Sequence, residues 1–269
     1  MQQRTLSLVG PGRAGTAIAE ALVARGWTVV GVAGRDPVRT AAAADRLGAG
    51  AVPVDAVARG AALLVVATPD AAVAGAACAA VAGAEPGALV VHLAGAHGVA
   101  LLDDARAARP DLRFGALHPL QTLSGPTSAP RLVGAFAAVE GPTEVEALAR
   151  EIGLRPFTVE AGQRTRYHAT AAVASNHLVA LLGAVERLAA AARVPFDAFL
   201  PLVRTTIEAA AELGPAAALT GPVARGDHAT VAAHLAALDP SERPAYRALA
   251  REALRLTGRD DPELEAVLR

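Results

Sequence analysis

At 269 residues the chain is long enough for one large domain or two modest ones, each with a core of its own. A formal net charge of −1 leaves no broad basic surface for nucleic acid, and a single cysteine, Cys78, rules out an internal disulfide. All 25 basic residues are arginine, so chemistry that needs a lysine ammonium is excluded as well.

The chain enters structure at once. Leu6, Leu8 and Val9 make a short apolar strand, followed by Gly10, Gly12 and Gly15 in G-x-G-x-x-G spacing ahead of an alanine-rich helical run. In that pattern Gly10 permits the tight turn, Gly12 leaves the backbone open to a pyrophosphate, and Gly15 lets the helix lie close on the strand. Arg13 and Ala14 start the helix, whose unpaired N–H groups aim at a phosphate. Glycine-rich turns also simply end strands, but here an amphipathic helix follows and a second β-branched run stands at residues 28–32. An NAD site places an acid about 20 residues after the glycines to hold the ribose 2′-OH, whereas an NADP site has an arginine nearby. This chain has Gly34 there, then Arg35 and Asp36, with Arg39 close behind. NADP is the cofactor expected. Asp36 keeps NAD open, although Asp36-Pro37 also reads as the start of the next helix.

After a helix at 38–47, the continuous apolar run at 62–67 reads as a strand buried on both faces. It stops at Thr68 and Pro69, a strand end where cofactor is expected to bind. A small-residue helix at 71–81 holds Cys78 as a buried thiol, in a run too short to cross a membrane. Strands follow at 88–93, leading to His97, and at 113–117, stopping at His118-Pro119-Leu120-Gln121-Thr122; a polar loop covers 124–130. Two more strands, 135–140 and 155–159, flank a helix at 143–152. This alternation predicts an α/β fold with an N-terminal Rossmann-type, mostly parallel sheet. Past Gly162 the strands cease, and a second, all-helical C-terminal domain is expected. Its first helix, 166–194, is apolar around most of its circumference and must be buried inside its domain or against a second subunit. The expected domains are 1–162 for the dinucleotide and 163–269 for substrate and dimerisation. The early first strand and lone cysteine point to a cytoplasmic protein, with no signal peptide, membrane span, nucleic-acid partner or metal site expected.

Three motifs, H-P-L-Q-T at 118–122, S-N-H-L-V-A at 175–180 and L-T-G-P-V-A-R-G-D at 219–227, carry a resemblance over nearly the whole chain. They resemble the Rossmann-like oxidoreductases whose C-terminal domain is of unknown function, relatives of the ketopantoate reductases, pyrroline-5-carboxylate reductases and β-hydroxyacid dehydrogenases. The resemblance implies an NADP-dependent reductase of a small 2-oxo acid such as ketopantoate, and a homodimer formed through the helical domain. It also implies a departure. Many of these relatives place a catalytic lysine four residues before an asparagine; Asn176 matches the asparagine, but Ala172 stands at the lysine position.

A different acid is therefore needed if a carbonyl is reduced, and histidine suits proton donation near neutrality. His118 is the first candidate, with His168 as the competing assignment and Asn176 as a partner of the substrate. The histidine reading predicts loss of activity in the neutral to mildly alkaline range. His97, Gln121 and Arg225 are candidates for binding substrate, Arg225 through a bidentate pair with a carboxylate. The bland alternatives are a surface or structural histidine in each case, and for Asp227 the cap of the following helix. A cyclic-imine reductase and a non-catalytic NADP-binding regulator remain the alternative functions.

Overall fold

The computed structural model describes residues 4–125, 128–160 and 162–269; positions 126 and 127 of the expected 124–130 loop lie outside the described residues. The chain divides into two compact units, Met1–His177 and Leu178–Arg269.

The first unit alternates strand and helix: β1 (Thr5–Val9), α1 (Arg13–Val23), β2 (Thr28–Ala33), α2 (Pro37–Leu47), β3 (Leu63–Val66), α3 (Asp70–Ala80), β4 (Leu89–His92), α4 (Asp103–Ala108), β5 (Arg113–Leu120), β6 (Phe136–Glu140), α5 (Thr143–Glu151) and β7 (Arg155–Phe157). The seven strands lie in the order β2-β1-β3-β4-β5-β6-β7, parallel throughout except where β5 meets β6. β3 and β4 are buried along their whole length, because the helices cover both faces of the sheet and leave no position for a polar side chain to reach water. One apolar core, with Leu6, Leu8, Ile18 and Leu22, lies on one face; another, with Val66, Val73, Val90 and Phe114, lies on the other. The strand order reverses between β1 and β3, and their carboxyl ends form the crevice where such sheets bind ligands.

β5 corrects one expectation. It runs to Leu120, so His118 and Pro119 are inside the strand rather than in a turn after it. β4 pairs with β5 only as far as Ala116, and beyond that only β6 is paired with it. A proline can occupy such a one-sided strand because the missing N–H has no second neighbour to serve.

The first unit ends in α6 (Arg164–Ala172) and a π-helical turn, Val173–His177. The second unit holds α7 (Leu178–Ala191), α8 (Leu200–Leu213), α9 (Pro215–Ala218), α10 (Pro222–Arg225), α11 (His228–Ala237), α12 (Arg243–Thr257) and α13 (Pro262–Val267). Its core is formed by Val223, Val231, Leu235, Leu254 and Leu264 from the last four helices, with Leu268 just after α13. α7 buries only Ala189, and α8 buries nothing. Val179, Leu202 and Leu213 are each more than 60% exposed. The apolar helix predicted from sequence is thus not buried within its own chain. The continuous helical stretch Arg164–Ala191 also has the length and composition of a membrane span, a test that the helices of soluble proteins pass as well.

Candidate active site

The glycine turn has the three geometries that its spacing predicts. Gly10 stands at φ +84°, and a Cβ there would lie 2.7 Å from Thr68 N, so only glycine fits between the turn and the end of β3. A Cβ on Gly15 would fall 2.7 Å from Ala67 Cβ and 2.9 Å from Leu8 Cδ1, the close approach of α1 to the sheet. A Cβ on Gly12 would meet nothing within 4 Å. That open space lies at the N-terminus of α1, where no side chain caps the first N–H groups. Arg13 and Ala14 are the first two helical residues. Beside them is a cleft of about 680 Å³ lined by Gly10, Gly12, Arg35, Thr68, Pro69 and Ala72, among others. Thr68 Oγ1 is buried at this cleft with no hydrogen-bond partner among the described residues.

The end of β2 has no room for the acid of an NAD site. A Cβ on Gly34 would lie 2.6 Å from Thr40 Oγ1 and 2.8 Å from Pro11 Cδ. Asp36 is committed elsewhere: it caps α2, its Oδ1 accepting from Val38 N and Arg39 N at 3.0 and 3.1 Å. Arg35 lines the cleft, exposed and with no ion pair or side-chain hydrogen bond among the described residues. An orphaned buried hydroxyl, an uncapped helix start and a free arginine fit the needs of a dinucleotide's phosphates.

The second cluster lies at the ends of β4 and β5. His118 Nδ1 is 2.7 Å from the hydroxyl of Tyr167 on α6, and its ring meets that of His168 edge-on at 5.8 Å. Gly95 closes the group, since a Cβ there would fall 2.7 Å from His118 Nε2 and 2.6 Å from His168 Cδ2. The turn holding Gly95 is fixed from below by His92, which is fully buried. Ala94 N donates to His92 Nδ1 at 3.1 Å, which puts the ring proton on Nε2, and Nε2 donates to Gly98 O at 2.9 Å.

Burial, reinforced by His168 and Arg164, pushes the pKa of His118 down to about 4. Burial also lowers His92. The phenol of Tyr167 is pushed up to about 12 by burial, against the pull of Arg164. His118 is therefore neutral at neutral pH, which speaks against this residue as an imidazolium acid there. The ring can instead hold the Tyr167 oxygen: with the proton on Nδ1 it donates to the phenol and leaves the phenolic hydrogen free for an acceptor.

Other sequence candidates are placed as follows. His97 is half exposed, 3.9 Å from Asp70 Oδ2. Gln121 uses both ends of its amide within its own loop, Nε2 donating to Arg131 O and Oε1 accepting from Thr122 N. Thr122 Oγ1 is 3.1 Å from Ser175 Oγ in the π turn. Asn176 is exposed in the same turn and makes no side-chain hydrogen bond among the described residues. Arg225 is exposed in the second compact unit, so the first unit does not bring it together with His118. Asp227 caps α11 through Thr230 N at 3.0 Å. Sequence reasoning missed Tyr167, Arg164 and His92. The signal for the first two was available: Arg164, Tyr167 and His168 stand at i, i+3 and i+4, one face of a helix.

The chain matches the Rossmann-like domain family over residues 1–119 and the domain of unknown function DUF2520 over 135–253. No curated protein matches it. Among solved structures, a Bacteroides fragilis protein provisionally assigned as an NADP oxidoreductase is similar at 27% identity and a TM-score of 0.80, covering 93% of this chain and 98% of that one. A reductive aminase from Aspergillus terreus in complex with NADPH4, cyclohexanone and allyl amine is similar at 20% identity and a TM-score of 0.67, covering 98% and 99%. A pyrroline-5-carboxylate reductase from Coxiella burnetii is similar at 16% identity and a TM-score of 0.59, covering 100% and 97%. The last two likenesses establish a shared fold.

Proposed function

For this chain, a Rossmann-like domain followed by a DUF2520 domain, we propose an NADP-dependent oxidoreductase that reduces the carbonyl of a small 2-oxo acid, ketopantoate being the first compound to test. The observation that carries the reading is the His118–Tyr167 hydrogen bond at the sheet's ligand edge. The Bacteroides fragilis relative's assignment supports the cofactor, as do Gly34, whose crowding leaves no place for an NAD-type acid, and the unpaired Arg35.

When bound, reduced NADP supplies the hydride. Gly10, Gly12, Gly15, Arg13, Ala14, Thr68 and Pro69 would hold its phosphates and ribose, and Arg35 would take the 2′-phosphate. As a hydride bonds to the carbonyl carbon, the carbonyl π pair moves to oxygen, and the Tyr167 hydroxyl gives that oxygen its proton. The phenolate left behind accepts from His118 Nδ1–H until solvent reprotonates it, and the product is a 2-hydroxy acid. His168 and Gly95 wall the pair, and Asn176 offers its amide to the substrate. The absence of lysine and the neutral state of His118 favour a second reading, reduction of a cyclic imine that arrives already protonated and needs no acid at all.

The exposed apolar faces of α7 and α8 support a homodimer built on the helical domain. Incubation of the protein and NADPH with a panel of 2-oxo acids and cyclic imines, followed at the reduced-nicotinamide absorbance, tests the function. Consumption with an oxo acid supports the carbonyl reading, and consumption with imines alone supports the second. Tight NADPH binding without any consumption would make the protein a cofactor-binding regulator.

A further inference from the structure

Arg164 is the least comfortable charge in the first unit. Its side chain is only 8% exposed, and its Nη2 donates to Glu140 Oε2 at 3.2 Å. Its Nε and Nη1 are buried without a hydrogen-bond partner among the described residues. A guanidinium cannot discharge to escape this, so two of its N–H-bearing atoms stay enclosed and unbonded on a permanent cation. Burial without an acceptor is costly for such groups and calls for a partner. Arg164 stands one helical turn before Tyr167, on the face of α6 that also carries His168. Its charge is felt at His118, His92 and Tyr167 alike. Glu140, its one partner, is 41% exposed on the side chain and lies directly against Gly98, where a Cβ would fall 2.5 Å from Oε2. The pair is thus enclosed at the arginine and open to solvent at the carboxylate.

We infer that Arg164 is the receptor for a carboxylate on the substrate: its unpartnered Nη1 donates to a substrate oxygen while Glu140 keeps Nη2, and the substrate class is an oxo or imino acid rather than a neutral ketone or imine. The contact is a charge-assisted hydrogen bond from a permanent cation to a carboxylate, about twice as strong as a neutral one. The substrate enters beside Glu140, the solvent-open member of the pair. Three residues of helix, a rise of about 4.5 Å, separate the backbone positions of Arg164 and Tyr167, so a single small molecule can meet both side chains. Arg225, in the other compact unit, is not needed for this contact. The inference rests on the reductase reading for the identity of the ligand, and on the geometry of Arg164 for the site.

The test uses the full-length protein loaded with NADPH and two probes. Oxamate, a 2-oxo acid isostere that is not reduced, is titrated calorimetrically, and turnover is compared between 2-oxobutanoate and its ethyl ester. Arg164→Gln is expected to weaken oxamate about 10- to 100-fold. The same variant should lower kcat/KM for the acid by a similar factor, chiefly through KM, and leave the ester near its parent value. Arg164→Lys, which keeps the charge but not the planar guanidinium that meets Glu140 and the substrate at once, should lose oxamate while retaining the parent's unfolding midpoint, so a folding defect is not mistaken for a lost contact. Glu140→Gln should bind oxamate as tightly as the parent or more tightly, because a competing anion has gone. Equal losses for acid and ester, oxamate affinity indifferent to Arg164 or absent in the parent, or the same loss in Glu140→Gln as in Arg164→Gln would each overturn the inference and leave Arg164 as a structural tie between α6 and β6. Oxamate binding that depends on Arg164 in a protein that reduces nothing would retain the anion site and remove the reductase reading.

Discussion

His118 and Tyr167, 49 residues apart, share a 2.7 Å hydrogen bond between an imidazole that is neutral at neutral pH and a phenol whose pKa is raised to about 12. Two groups that each resist ionisation form a donor that water does not discharge. The proton leaves only when an acceptor more basic than phenolate develops, and the alkoxide formed by hydride transfer is one.

Tyr167→Phe removes the hydroxyl while keeping the ring that packs against Phe157 at 5.8 Å. Turnover in the reductive direction is expected to fall about 10²- to 10⁴-fold, the usual contribution of a positioned acid, with NADPH affinity unchanged. Steady-state kinetics and cofactor titration on the same preparation check both halves. Full turnover in this variant with loss in His168→Ala would move the donor to His168.

The pH dependence of that activity should be flat across neutrality. His118 has already lost its proton above about pH 4, and Tyr167 keeps its own until about pH 12. A kcat profile recorded between about pH 6 and 9 should show no histidine limb; a limb near pH 7 would mean that the pair is not the acid.

Stability carries the same signature with a definite sign. His118 has its pKa lowered to about 4 in the folded state and His92 is lowered as well, so below their ordinary value of 6.5 the unfolded chain binds protons that the folded chain refuses, for His118 down to about 4. The pair's contribution is fully present above about 6.5 and is lost as pH falls through that window. Denaturant melts of the parent and of His118→Phe should converge as the pH is lowered.

His228 behaves in the opposite sense. Its Nε2 meets Asp261 at 3.0 Å and its Nδ1 meets Glu263 at 3.2 Å, linking α11 to the start of α13, and its pKa is raised, chiefly by the hydrogen bond to Asp261. The link is complete below pH 6.5 and is lost as pH rises through the raised value. Amide exchange in Pro262–Val267 should quicken over that rise in the parent, and show no such step in His228→Gln.

Cofactor choice rests on residues 34 and 35. Arg35→Ala should weaken NADPH by about 1.5–3 kcal/mol, the scale of a lost charge-assisted contact, and leave NADH nearly unaffected. Gly34→Asp should fail to install NAD preference, because its Cβ has to displace Pro11 and Thr40 before the carboxylate reaches a ribose. Fluorescence titrations with both cofactors distinguish the outcomes.

Much of this was legible in the sequence. Glycine spacing, strand alternation and the change of period after Gly162 are local signals, and β3 and β4 fall where continuous apolar runs put them. The length of β5 was not legible: whether a strand passes through His118-Pro119 depends on β6 offering it a partner, a contact made by residues about 20 positions later. Nor was the protonation state of His118, which is set by His168 and Arg164 converging on it from α6 and by burial. Tyr167 was overlooked for a simpler reason. In a chain without lysine the side chains that titrate near neutrality are histidines, and a phenol becomes a candidate acid only through its contact with His118.

Delivery of a proton by this pair as hydride reaches a carbonyl is read in single-turnover reduction. NADPH-loaded parent and Tyr167→Phe are mixed with an excess of a 2-oxo acid, and the decay of the reduced nicotinamide is followed in each. The expected result is a rapid decay in the parent, slowed at least about 10²-fold in the variant. Equal decay rates in the two proteins, or no decay in either despite bound NADPH, would mean that the pair does not deliver this proton.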